Sequence, residues 1–512
     1  MRFRPQTLLL LFILALFAFH LALIGQIPLS LDEAYYWCWG RRPAPSYYDG
    51  PGMIAWIHWL FSFLFPQPTA FSVRLPAALL GFATAWVLYR AYRVLYDNET
   101  EAATLVIALS VLPIFFIGSF ISIYDNPLVF FLVLAYFFMF QLLRRPRAYL
   151  WYLIALALTA GLYSKFSALM PAGCFVLFIL LSPTLRPWLR RPHPYLATLL
   201  ALALLIPLVV WNSRHEWVTF LALVRITRTG PWTWADRLAS AGELCLSQFA
   251  AYSPLISISL VAALLTAMRR YWKERDESLL LLLMLSVPIL AYFLLQALRS
   301  RVLGNWPVVG FVPALILTAR FSFLSGALIF RGAADSSRVP FYFRRSYLLS
   351  GLALSFLLSL VPVLQARYHL ATPLFRRIEN VFHLDYRIDR RLDQELYGWT
   401  ELAAAVEQNR AGADFILAHK YQIAAELEFY LPDHPRILVY SRGWRRSQFD
   451  LWTDLPRRRS QTALYVDEHR LPPELAAQFD RVIPLAAPWK LMDQGELLKR
   501  FFIYRLEVFH PE

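Results

Sequence analysis

The chain has 512 residues, of which 58% are hydrophobic and 17% charged, against roughly 25% charged in ordinary soluble domains. Apolar runs long enough to cross ~30 Å of hydrocarbon recur through the first 370 or so residues, which excludes a soluble globular protein. The net charge of +15 falls in short basic clusters between those runs, the mark of cytoplasmic loops rather than of a nucleic-acid surface.

The N-terminal segment MRFRPQTLLLLFILALFAFHLALIG has the basic start and apolar core of a signal peptide. Its apolar run is too long, however, and no small-residue cleavage site follows, so it reads as an uncleaved first helix. Eleven spans are expected: 6–27, 75–95, 101–120, 127–143, 149–164, 168–183, 196–212, 247–268, 278–298, 305–320 and 346–366. With the N-terminus in the cytoplasm, the inside loops collect Arg90 and Arg93, then Arg144, Arg145 and Arg147, then Arg186, Arg190 and Arg191. Further along they collect Arg269, Arg270, Lys273 and Arg275, and finally Arg331, Arg338, Arg344 and Arg345. The outside loops carry fewer basic residues, apart from the long 213–245 loop, and the asymmetry supports this orientation. It places residues 28–74 and everything after about 367 outside the cytoplasm.

Within the first outer loop, MIAWIHWLFSFLF (53–65) is too short to span and rich in Trp and Phe, as suits a helix lying in the membrane interface. FSFLSGALI (322–330), between Arg320 and Arg331, reads as a cytoplasmic interfacial piece. Beyond 367 the pattern changes. ELAAAVEQNR and QIAAELEFYL have helical periodicity, while DFILAH, RILVYS, ALYVDE and FFIYRLEVF are short β-type runs. The expected organisation is a transmembrane domain over 1–366, with its chemistry in the outer loop 28–74, followed by an extracytoplasmic soluble α/β domain over 367–512. The three cysteines, Cys38, Cys174 and Cys245, lack metal-ligand spacing and imply no disulfide framework or zinc site. There are no internal repeats, Walker loop or dinucleotide fingerprint.

The stretch LDEAYYWCWGRRPAPSYYDGPG (31–52) sets two adjacent carboxylates at the mouth of a membrane helix. Ser30 followed three residues later by Glu33 is a capping-box pattern, and Asp32 in the first turn suits the helix dipole. A cap does not call for a third carboxylate at Asp49 or for this density of Tyr and Trp. Other awkward polar residues fall on the same side: Asp125 in SIYDNP, Lys165 in YSKFS, Arg214, His215 and Glu216 in WNSRHEW, and Arg299, Arg301 and Asn305 in RSRVLGNWP. Ionisable groups at membrane depth are costly, and each marks a candidate function. Each also has a plainer reading. Asp125 starts a helix whose Pro127 sits in the first turn. His215 is an interfacial aromatic, Lys165 snorkels, and Arg299 and Arg301 are loop charges.

Nucleotide sugars are not available outside the inner membrane, so an enzyme there draws on an activated substrate delivered in the bilayer, such as a lipid-linked sugar phosphate. The parts required are a carboxylate to take a proton from the acceptor and cations to hold the leaving phosphate. Asp32 and Glu33 lie ~100° apart on a helix, so one of them faces the substrate.

LDEAYYWCWG…PSYYDGPGMIAWI resembles the first outer loop of bacterial members of the dolichyl-phosphate-mannose protein mannosyltransferase family, glycosyltransferase family 39. These share the C-type glycosyltransferase fold with the aminoarabinose transferases that modify lipid A. SIYDNPLVFF, GLYSKFSAL, VVWNSRHEWVTF, GNWPVVGF and KYQIAAELEFYLP resemble further stretches of the same branch, in order. The resemblance implies that Asp32 is the catalytic base and Asp125 a second acidic site. Asp125 and Glu33, with Tyr48, Asp49, His215 and Glu216, are the residues expected to position an acceptor or a divalent ion. The family commonly has a basic residue and two prolines after the tyrosine-and-acid element. Asp49-Gly50-Pro51-Gly52 lacks that basic residue, so any role of it towards the donor phosphate passes to Lys165 or Arg301 or is absent. The residues expected to hold that phosphate are Lys165, Arg299, Arg301 and Asn305.

The expectation is therefore a hexosyl- or pentosyltransferase of the inner membrane. It would move a sugar from a polyprenyl-phosphate carrier to a lipid, glycan or protein acceptor at the outer face, among membrane lipids and with no nucleic-acid partner. No cofactor is required by the sequence, and a divalent metal is permitted. The alternative is a transporter or flippase of lipid-linked glycans, for which internal repeats would be expected.

Overall fold

The computed structural model describes residues 4–227, 232–324, 340–382, 388–442, 445–485, 489–493 and 496–510. The chain forms two compact units. One is Met1–Ile24, Gly50–Ile54 and Arg74–Val361; the other is Gly25–Asp49, Ala55–Val73 and Pro362–Glu512.

The first unit is helical. Among the described residues seven helices are long and apolar enough to cross a membrane: Pro5–Leu23, Ala70–Tyr96, Asp125–Arg144, His193–Arg214, Pro254–Glu274, Glu277–Ala297 and Arg345–Tyr368. The protein is thus a multi-pass α-helical membrane protein. Four of the eleven expected spans fall on helices of fewer than 18 residues. Span 101–120 breaks at Leu112-Pro113 into Glu99–Val111 and Pro113–Gly118, because proline cannot donate to the preceding turn. Spans 149–164, 168–183 and 305–320 become Ala148–Ser164, Leu169–Leu181 and Val308–Leu324. Span 247–268 is displaced: Ser253, at φ 60° ahead of Pro254, ends one helix and starts the next at Pro254–Glu274. The 213–245 segment, expected as a long loop, is largely helical, with Val218–Thr227 and Trp234–Tyr252. Of the interfacial piece at 322–330, residues 325–330 lie outside the described residues, as do Arg331 and Arg338.

Helix packing here follows membrane rules. Ala102, Ala103, Ala263, Ala267 and Ala314 are wholly buried, since small side chains let helix backbones approach closely. On His193–Arg214 the residues Leu196, Leu199, Leu202, Ile206 and Val210 are exposed, a stripe at helical spacing that suits a lipid-facing surface.

The second unit is built on a mixed sheet. Its strands run in the order Ile437–Val439, Phe415–Ala418, Ala463–Asp467, Glu496–Phe509, Phe479–Pro484, with Trp489–Asp493 also paired to Glu496–Phe509. The first three are parallel, with Ile416 opposite both Ile437 and Leu464, and the others antiparallel, with Tyr465 opposite Tyr504. The helix Tyr421–Tyr430 makes the crossover that a parallel pair requires. The four β-type runs and both periodic segments recognised in sequence are strands and helices here. The N-terminal part of this unit contributes the helix Leu31–Gly40 and most of Met53–Ser62. At ten residues the latter is ~15 Å long, half a bilayer core.

Candidate active site

The helix Leu31–Gly40 begins at Ser30 with a closed capping box. Glu33 Oε2 accepts from the Ser30 backbone N–H at 3.0 Å and from its hydroxyl at 3.1 Å, and Glu33 is completely buried. Of the two adjacent carboxylates, Glu33 therefore serves the cap. Asp32, one residue earlier on the helix, is exposed. It accepts no hydrogen bond and makes no ion pair among the described residues. Enough protein surrounds the side chain that desolvation, followed by the like charges of Glu395 and Asp49, raises its pKa from 3.8 to about 6. Arg445 opposes that rise.

Asp49 is handled differently. Tyr35 donates its hydroxyl to Asp49 Oδ2 at 2.6 Å, and Arg445 pairs with Oδ1. Burial raises the Asp49 pKa, opposed first by the Arg445 charge and then by the hydrogen bond from Tyr35. Tyr35 is itself fixed. Its oxygen accepts from the Gln448 N–H at 2.8 Å, and its ring lies 4.6 Å from Tyr421 and 5.2 Å from Trp39. Tyr48 is buried, and its backbone N–H donates to Gln448 Oε1 at 2.8 Å.

The same unit holds a second charged anchor. Arg41 and Arg42 donate to Glu428 at 2.6 and 2.8 Å, and Glu428 is completely buried. Burial raises the Glu428 pKa while the two guanidiniums oppose the rise. A buried charge with both oxygens paired in this way is tolerable, whereas one left single is not. The aromatic density of residues 31–48 thus packs the first-loop helix onto Tyr421–Tyr430 and Gln448–Trp452, with Trp37 edge-on to Phe429 and Trp39 stacked on Tyr47 at 4.2 Å.

In the helical unit, three residues singled out in sequence come together. Lys165 donates to Asp125 Oδ1 at 2.8 Å and Asn305 to Oδ2 at 2.9 Å. The Lys165 ammonium also lies 4.6 Å from the Tyr124 ring centre. Asp125 opens the helix Asp125–Arg144, Lys165 follows Ala148–Ser164, and Asn305 precedes Val308–Leu324, so three helix ends meet at one carboxylate. Other sequence candidates stand apart from it. His215 stacks on Trp211 at 4.0 Å and its Nδ1 lies 2.8 Å from the Trp211 carbonyl, which ties the ring to its own helix end. Glu216, in the left-handed region at φ 54°, is exposed. Arg299 is exposed, and Arg301 pairs with Glu243.

Among the described residues no group of three or more His, Cys, Asp or Glu is placed to hold a metal ion. Glu33 closes the cap and Asp49 is shared between Tyr35 and Arg445. Of the carboxylates of residues 30–49, Asp32 alone is left without a partner among the described residues. Sequence reasoning missed Arg445, Gln448, Glu428 and Glu395. The local signal was present in WRRSQF and AELEFY, but Arg445 lies 396 positions from Asp49, and no local pattern reports such a pairing.

Residues 49–211 match a family model described as dolichyl-phosphate-mannose-protein mannosyltransferase. The matched segment starts at Asp49 and leaves out Asp32. A lipid A galacturonosyltransferase, RgtD, from Rhizobium johnstonii is 26% identical over 299 residues, 57% of this chain and 60% of the relative. The chain thus aligns with somewhat less than two thirds of that relative's length. Among solved structures, apo ArnT from Cupriavidus metallidurans aligns with 98% of both chains at a TM-score of 0.63 and 15% identity. The same ArnT bound to undecaprenyl phosphate aligns with 96% of this chain and 97% of that one, at a TM-score of 0.59 and 15% identity.

Proposed function

From a chain that has the C-type glycosyltransferase fold and is related in sequence to a lipid A glycosyltransferase, we propose an inner-membrane enzyme of sugar transfer. It moves a hexose or pentose from a polyprenyl-phosphate carrier to a lipid, glycan or protein acceptor at the outer face. The observation that carries this reading is the contrast among four carboxylates. Glu33 is spent on a helix cap, Asp49 and Asp125 are each paired through both oxygens, and Asp32 is left exposed with a pKa of about 6. A general base works best with a pKa near the working pH.

In the proposed reaction Asp32 removes the proton of an acceptor hydroxyl as that oxygen forms its bond to the anomeric carbon. The bond from that carbon to the carrier phosphate breaks, and the phosphate departs with the electron pair. Lys165, held in place by Asp125, is the cation assigned to an anionic headgroup in the helical unit. Asp49 and Tyr48 keep a positioning role through the ties to Tyr35, Arg445 and Gln448. The undecaprenyl phosphate bound by the ArnT of similar fold supports a lipid-phosphate donor here.

The test uses purified protein with radiolabelled polyprenyl-phosphate sugars and a panel of acceptors. Sugar transfer to an acceptor is expected, falling ~10²–10⁴-fold in Asp32→Asn with folding intact. A donor that is moved across vesicles but never consumed would overturn the reading in favour of a flippase.

A further inference from the structure

The helical unit carries a cavity of about 970 Å³ that the proposed reaction does not use. It lies at the other end of the bundle from Asp125. Asp125 opens the helix Asp125–Arg144 and the cavity gathers at its last residue, ~30 Å away at 1.5 Å per residue. Six arginines line it, Arg93, Arg144, Arg145, Arg147, Arg270 and Arg320, against three carboxylates, Asp97, Glu274 and Asp276.

The arginines are not equivalent. Arg320 is bound to Glu101 at 2.9 Å and lies over the Tyr96 ring. Arg93 pairs with Glu99 at 2.7 Å and Asp97 at 3.0 Å, and Arg270 approaches Glu274 only at 3.6 Å. Arg144, Arg145 and Arg147 have no carboxylate partner among the described residues. Arg144 donates to the Leu95 carbonyl at 2.6 Å, and Arg145 and Arg147 project from the connection to Ala148–Ser164, exposed and unpaired. Three uncompensated guanidiniums around a concave space attract an anion, and the planar fork matches phosphate oxygens. At this volume, near the top of the usual range for small-molecule sites, the space accepts more than a bare phosphate.

We propose that this cavity binds the phosphate-bearing headgroup of an anionic phospholipid from the leaflet at that end of the bundle. The ligand comes from the bilayer because the cavity opens where helices built to cross hydrocarbon end. Its rim carries an exposed tyrosine, Tyr149, a residue type enriched at the membrane interface. Basic pockets between helix ends on the arginine-rich side recognise such headgroups.

The experiment is native mass spectrometry of the full chain released from nanodiscs of phosphatidylglycerol and phosphatidylcholine. The wild type is expected to retain phosphatidylglycerol selectively. Arg145→Ala/Arg147→Ala is expected to lose that retention by roughly tenfold or more. Arg186→Ala/Arg190→Ala, which removes the same charge from another connection, is expected to keep it. Equal retention by the first double variant, or equal loss in the second, would overturn the site in favour of general surface attraction. Displacement of the lipid by millimolar inorganic phosphate would overturn the lipid source in favour of a soluble anion. If the first double variant does not fold, Arg147→Gln alone makes the same comparison.

Discussion

Asp32 and Glu33 differ by one position and by everything around them. Glu33 turns inward to close the cap at Ser30, and Asp32 is left with no partner among the described residues. Its raised pKa fixes the direction of a pH effect. A base acts only when deprotonated, so transfer should fall as pH drops through about 6, and a pH–rate profile of kcat/KM with its acid limb there checks the assignment. Arg445 holds the pKa values of Asp32 and Asp49 down. Arg445→Ala should therefore move the acid limb to higher pH, while Arg445→Lys, which keeps the charge, should leave it closer to the original. A limb that stays put in Arg445→Ala would place the titrating group elsewhere. Ser30→Ala, which removes the N-cap hydroxyl of the capping box, should lower stability by ~0.5–2 kcal/mol, the usual worth of a cap, with a much smaller loss of transfer than Asp32→Asn.

The helix Leu31–Gly40 carries most of the candidate chemistry, and its placement depends on close packing as well as charge. A Cβ added at Gly40 would meet the His58 Cβ at 2.5 Å and the Ala55 carbonyl at 3.3 Å, so the end of this helix rests directly on Met53–Ser62. Neither neighbour is the tip of a flexible side chain. Gly40→Ala should separate the two helices and cost about 1–3 kcal/mol, as overpacking of a close contact does. A thermal melt of the detergent-solubilised protein measures it. The prediction fails if Gly40→Ala melts with the wild type. Boundaries of the membrane helices were harder to read than their existence. Pro113 and Pro254 sit inside apolar runs that hydropathy alone joins, and the proline breaks are local backbone events beneath the resolution of a composition window.

At the scale of the whole molecule, the orientation proposed from the basic loops is open to direct test. In a chain with the exposed Cys245 replaced by Ser, Cys38 and Cys174 remain buried. A cysteine introduced at exposed Glu474 should then react with a membrane-impermeant reagent in intact spheroplasts, and one at Arg145 should react only after lysis. The reverse pattern would invert the topology and with it the compartment of the proposed reaction. The sequence by itself determined that the chain is a polytopic membrane protein with a C-terminal α/β part, because hydrocarbon thickness and helix and strand periods write themselves into runs of neighbouring residues. It also made the capping box and the acidic first loop visible, since both are local. The tertiary structure alone decided that residues 25–49 and 55–73 fold with 362–512 as one compact unit. It decided that Arg445 and Glu428, both remote in sequence, answer Asp49 and the Arg41–Arg42 pair. It decided too that Asp125, Lys165 and Asn305 share one set of hydrogen bonds. Each of those outcomes depends on which distant side chain satisfies a poorly solvated charge, and that choice is made by packing between segments hundreds of positions apart rather than by any pattern within one of them.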